Sequence, residues 1–221
     1  TNITSTITET TGSVYFDGTN DTLTIADSDD FNFGSGDYTI EMWVYPERIS
    51  GTQENLITRG TSGFSGFIMS VTNFLDTTNG SSWTVDITYT NPLVADKWQH
   101  IAVCRNGDTW TVYIDGVANG TTTVSGSVQA SAQTLTIGER VGQTDFQGYI
   151  SNLRICKGHA VYKSNFAVPT RELDVHPGPE HDRTVLLCCY DGENIFADKT
   201  GRHIISANGD RTSSPTPTAT D

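Results

Sequence analysis

No apolar run in this 221-residue chain exceeds a handful of residues, far short of the roughly 20 that a membrane-spanning helix needs, so membrane insertion is not expected. Positive charge is just as scarce: 13 Lys and Arg stand against 26 Asp and Glu, a formal net charge of −13. Phosphate backbones are held by clustered Lys and Arg, so nucleic acid is not expected as a partner. No segment sustains an apolar period of 3.6 residues, which removes long helices. A Gly-x-Ser-x-Gly elbow and a phosphate-binding P-loop are also missing, and with them two common routes to catalysis. Cysteine is limited to Cys104, Cys156, Cys188 and Cys189. Each lies in an apolar strand pattern (IAVCR, LRICK, VLLCCY), where the thiol acts as a small buried hydrophobe, and free thiols are expected. Alternation along a strand puts Cys188 and Cys189 on opposite faces, so a bridge between them would be strained.

What the chain does have is turn residues at intervals of about ten, separating short runs rich in β-branched and aromatic residues. Residues 98–116, WQHIAVCRNGDTWTVYIDG, read as two strands joined by a tight Asn106-Gly107 turn of type I′. In residues 37–45, Tyr38, Ile40, Met42 and Val44 alternate with Thr39, Glu41, Trp43 and Tyr45. One face is apolar; Trp43 and Tyr45 make the other amphipathic, as where sheets pack or a concave face receives a ligand. Glu41 reads as a solvated strand residue. Thirty-five per cent hydrophobic content over this length suits one large β sandwich. The expected organisation is an N-terminal arm or linker at 1–11, an all-β jelly-roll sandwich of two antiparallel sheets at 12–211 with first and last strands adjacent, and a flexible Ser/Thr/Pro tail at 212–221.

Several blocks then line up with a known family. Ser13-Val14-Tyr15-Phe16-Asp17-Gly18, Phe31 to Pro46, Trp98 to Gly116, Leu135-Thr136-Ile137-Gly138 and Phe146 to Ile155 together resemble the laminin-G-like branch of the concanavalin A-like lectin/glucanase superfamily. The continuation, with Lys157-Gly158, Ala160, Tyr162, Phe166, Pro169-Thr170 and Leu173, is similar to a module of bacteriophage tail and virion proteins. That resemblance implies a concanavalin A-like sandwich in which the segment after Ile155 is an ordered excursion and Val185-Leu186-Leu187 returns to the sheet. It implies a virion structural or appendage protein (fibre, tail or capsid decoration) whose partners are other virion subunits and further copies of itself. A freestanding carbohydrate-binding module of a secreted or cell-surface protein is the alternative.

Glycoside hydrolysis needs two carboxylates facing one bond at about 5 Å or more apart. No strand offers an alternating acidic run, so an enzyme is not expected, although Asp191, Glu193 and His203 could converge. Asp27, Asp29 and Asp30 form the densest acidic loop, readable either as a solvated turn or as a calcium site of the kind such relatives hold. His176 and His181 in a Pro-Gly-Pro loop are a weak transition-metal pattern. Sugar recognition rests on aromatic faces beside loop Asn and Asp. Trp83, Trp110, Tyr89 and Tyr162 offer the faces, and Asn73 and Asn79, in the loop from Asn73 to Ser82, offer the polar groups. Asn73, Asn79, Trp83 and Trp110 are therefore the candidate contacts to a cell-surface glycan.

Overall fold

The computed structural model describes residues 12–50, 54–60, 64–140, 142–175, 183–209 and 213–214. In chain order the strands are β1 (Ser13–Asp17), β2 (Thr22–Ile25), β3 (Tyr38–Pro46), β4 (Glu54–Arg59), β5 (Ile68–Ser70), β6 (Asn73–Asp76), β7 (Val85–Thr88) and β8 (Gln99–Asn106). They continue as β9 (Thr109–Ile114), β10 (Val117–Thr123), β11 (Leu135–Ile137), β12 (Thr144–Asp145), β13 (Gln147–Lys157), β14 (Thr184–Cys188), β15 (Ile205–Asn208) and β16 (Ser213–Ser214). A 3-10 turn spans Asp29–Phe31.

The strands form two sheets. One runs β10-β9-β8-β3-β13-β1-β16 with β14 also on β13; the other runs β15-β2-β11-β4-β5-β6-β7 with β12 also on β4. Neighbours are antiparallel except β12 and β4. The last strand expected from sequence, β15, pairs with β2 rather than with β1, and the partner of β1 at that edge is β16. That pairing also puts Ser213 and Ser214, expected in the flexible tail, into the sheet. The N-terminal arm expected at 1–11 lies outside the described residues.

Period-two alternation builds the core. Val14 and Phe16 of β1, Ile40, Met42 and Val44 of β3, and Ile101 and Val103 of β8 pack against Leu23, Ile25, Ile57, Met69 and Phe74 of the facing sheet. The outward residues of β3 are buried as well: Thr39, Glu41 and Trp43 are at most 1% exposed. The reason is non-local, since residues 158–175 lie over that half of the sheet's outer face. They are tied down by Thr39 Oγ1 donating to His159 O (3.0 Å), Val161 N donating to Thr39 Oγ1 (2.9 Å) and Leu173 N donating to Asn152 Oδ1 (2.9 Å). Asn152 can face them because it sits at an irregularity of β13 with φ of 52°.

Two local expectations shift. Asn106 pairs with Thr109, so the hairpin loop is Gly107-Asp108, and of these residues only Gly107 has positive φ (61°); a type I′ turn would need it at both central positions. Cys188 and Cys189 do not point apart. Cys189 leaves the strand with φ of 59°, and the two thiols lie 3.7 Å from each other in the core. All four cysteines are free and buried, and burial pushes the Cys104 thiol up to about 12. A thiol reagent should therefore find no reactive group in the native protein and four after denaturation without reductant; fewer than four would mean disulfides.

Candidate functional site

Three tyrosines stand side by side on the half of the outer face that residues 158–175 leave free. Tyr15 of β1 is directly opposite Tyr149 of β13, and Tyr149 is directly opposite Tyr45 of β3. Alternation turns them away from the core because Val14, Val44 and Ile150, next to them in sequence, point inward. Trp98, just before β8, extends the row by one more strand. Ring centroids are 4.8 Å apart for Tyr15 and Tyr149, 5.9 Å for Tyr45 and Tyr149, and 5.7 Å for Tyr45 and Trp98. The tyrosines are partly exposed and Trp98 is buried, at 8% exposure. Gly148, at φ of 141°, lets β13 lie close to β3 here; a Cβ would collide with the Tyr45 carbonyl oxygen.

Polar groups border the row. Glu47 Oε2 accepts from the Tyr15 hydroxyl (3.1 Å) and from Gln147 Nε2 (3.2 Å). Partial burial, followed by Glu47, raises the Tyr15 and Tyr149 phenols above their ordinary value; for Tyr45 the order is burial, Asp96, then Glu47. The phenols thus stay protonated donors. On the same face, Trp43 Nε1, Trp98 Nε1 and Ser13 Oγ are buried without a hydrogen-bond partner among the described residues. An aromatic strip four strands wide, with a fixed carboxylate and an amide at its edge, suits a ligand with apolar C–H faces and hydroxyl rims.

The covered half holds a different chemistry. Glu41 Oε1 accepts from Arg154 Nε (2.9 Å) and Nη2 (2.6 Å), and Oε2 accepts from the Tyr162 hydroxyl (2.8 Å) and His100 Nε2 (3.1 Å). Burial alone would raise the Glu41 carboxyl, but Arg154 and His100 overcome it and hold it at about 2. Arg154 also donates to Asp174 O (3.0 Å), and the Tyr162 ring stacks on Phe166 at 3.5 Å. Glu41 is thus not the solvated residue its sequence position suggests. A carboxylate with both oxygens engaged and no exposure cannot reach a substrate; its work is to pin residues 158–175 to the sheet.

The sequence-derived site residues disperse. Trp110 is fully buried: its Nε1 donates to the Tyr38 hydroxyl (2.9 Å) and Arg105 lies 4.5 Å over its ring. It offers no face to a ligand, because its position on β9 alternates inward. Tyr89 and Tyr162 are likewise committed, Tyr89 to Ser70 O and Asn73 O, Tyr162 to Glu41. Asn73 lies in β6 rather than in a loop, and its Oδ1 accepts from Ser70 Oγ. Asn79 is exposed and uses Oδ1 to hold the backbone of Ser81 and Ser82. Trp83 is partly exposed and packs edge-on against Phe64 at 5.4 Å. It does not join Trp110.

Asp27, Asp29 and Asp30 turn to separate partners: Asp27 to Arg59 (2.6 Å), Asp29 to Asn32 Nδ2 (3.1 Å), Asp30 to His203 (3.4 Å) and Arg202 (3.6 Å). No cluster of three metal-ligating side chains occurs among the described residues, so the three carboxylates are not assembled for calcium. Asp191 accepts from the backbone of Glu193 and Asn194 while the His203 ring stacks on Phe31 at 4.8 Å, and the trio does not assemble among the described residues. His176 and His181 lie outside the described residues.

The family model described as the concanavalin A-like lectin/glucanases superfamily matches residues 17–160. No curated protein matches the chain. Among solved structures, a Bacteroides ovatus protein proposed to bind carbohydrate is similar at a TM-score of 0.68 and 14% identity, over 95% of this chain and 61% of that one. This chain therefore spans about three fifths of that relative. A SAP-like pentraxin of Limulus polyphemus is similar at 0.55 and 13% identity, over 93% and 95% of the two chains. Domains LG4-5 of the mouse laminin alpha1 chain are similar at 0.50 and 14%, over 71% and 45%. At these identities the likeness is one of fold.

Proposed function

Because the chain belongs to the concanavalin A-like lectin/glucanase superfamily, whose sandwich hosts binding modules and enzymes alike, we propose that it is a non-catalytic glycan-binding module whose site is the row Tyr15, Tyr149, Tyr45 and Trp98. The observation that carries this reading is the register: three partly exposed tyrosines directly opposite one another on adjacent strands. A rigid sheet holds their rings in place, tilted 42° between Tyr15 and Tyr149 and 79° between Tyr45 and Tyr149, with Glu47 and Gln147 placed to bond hydroxyls. The Glu41 cluster supports the non-catalytic part, since its carboxylate is sealed. The block from Phe146 to Leu173 resembles virion modules, and on that resemblance the module is displayed on a virion surface or appendage, alongside other subunits and copies of itself.

The pair Tyr45→Ala with Tyr149→Ala should weaken binding to a panel of plant and bacterial polysaccharides by tenfold or more. The melting temperature should fall only slightly, because substitutions at the surface cost about 0.5 kcal/mol or less each. Affinity electrophoresis beside thermal melts measures both. Retained binding in the double variant would reject the site.

A further inference from the structure

The charges around the row define which glycans suit it. Glu47 is held by two neutral donors, the Tyr15 hydroxyl and Gln147 Nε2, and has no cationic partner among the described residues. Asp96, exposed on the loop before Trp98, acts on Tyr45 from the other end of the row. The nearby cations are already engaged: Arg48 with Glu54 (3.1 Å) and Lys97 with Asp115 (3.2 Å). A ligand on the tyrosines therefore meets electron-rich ring faces flanked by uncompensated carboxylates, on a chain whose formal net charge is −13. Uronate, sulfate or sialic acid groups would be repelled there. An ammonium group would gain twice, from Glu47 and from the faces of the rings.

Resting on the reading of the row as a glycan site, we infer that it selects polysaccharides of amino sugars with free amino groups, the ammonium seated at Glu47 and the sugar faces on Tyr149 and Tyr45. Pairing at the edge of a sheet is partly screened, so the preference is modest and sensitive to salt.

The test titrates the whole chain with β-1,4-linked oligomers of glucosamine, of N-acetylglucosamine and of galacturonate, all of equal length, by calorimetry at low salt and near neutral pH. The glucosamine oligomer should bind about fivefold tighter than its N-acetylated counterpart, and galacturonate should not bind measurably. Raising salt should shrink the preference. Glu47→Gln, whose amide oxygen can still accept from Tyr15, should abolish it, bringing the glucosamine oligomer to the affinity of its N-acetylated counterpart. Equal affinity for the two hexosamine oligomers would overturn the charge selection and leave the glycan site standing. Tightest binding to galacturonate, or binding to none of the three, would overturn it outright, while the glycan site itself stands or falls on the polysaccharide panel.

Discussion

Replacing Arg154 by alanine should destabilise the fold by about 3–5 kcal/mol, which for a domain of this size lowers Tm on the order of 10 °C. The effect is large because the variant strands Glu41. The carboxylate is fully buried and would keep only His100 and the Tyr162 hydroxyl, neither of which supplies the two bonds at 2.9 and 2.6 Å that Arg154 makes. The loss should be far smaller in Glu41→Gln with Arg154→Met, which removes both charges and keeps volume.

The pH dependence carries a sign that a merely steric account would not. In the native protein Glu41 titrates at about 2, below its ordinary 4.5. Its contribution is present above the unfolded value and is lost as pH falls through the window between the two. Without Arg154, His100 is left to oppose burial, which is the largest influence on the carboxyl and favours its protonated form. The Arg154→Ala variant should therefore show no loss from Glu41 below its ordinary 4.5 and lose stability as pH rises above it. Denaturant melts across pH 2 to 7 measure both slopes; parallel profiles would remove Arg154 from its assigned role.

Trp110→Ala should also cost about 3–5 kcal/mol, the usual range for emptying a buried aromatic site. The indole is the first donor in a buried chain: it donates to the Tyr38 hydroxyl, which donates to Asp76 Oδ2 (2.7 Å). Asp76 is pushed up to about 7 by burial, partly offset by the bonds from Tyr38 and Thr77 and by Arg105. Truncation leaves a cavity beneath Arg105, whose guanidinium is otherwise fixed on the carbonyls of Gly34, Gly107 and Gly126. Glycan affinity of the folded fraction should be unchanged. A variant that melted normally but lost binding would instead make Trp110 a surface contact.

The contrast between Trp110 and Tyr45 shows where reading the sequence stopped. Alternation along residues 37–45 correctly separates Ile40, Met42 and Val44 from Trp43 and Tyr45, because that pattern is local and of period two. Which outward residues meet water depends on where residues 158–175 lie, and no local pattern encodes that. In the hairpin strand at Trp110 the same alternation sets Trp110, Val112 and Ile114 against Thr109, Thr111 and Tyr113, so its inward position was legible and its choice as a surface contact went against the pattern. The tyrosine row depends on register across β1, β13 and β3, strands more than 100 residues apart in part. Its one visible trace was a tyrosine at an outward position of each strand. For the buried cluster the trace was clearer: Glu41, His100 and Arg154 each interrupt an apolar strand, which signals paired charges as readily as a solvated face.

The most direct measurement is aromatic-ring NMR of the protein titrated with a polysaccharide it retains. The ring signals of Tyr15, Tyr45 and Tyr149 and the indole of Trp98 should shift together and saturate, while those of Phe64, Trp83 and Trp110 stay still. Saturating shifts at Phe64 and Trp83 with the tyrosines unmoved would contradict the account and place recognition on the opposite sheet.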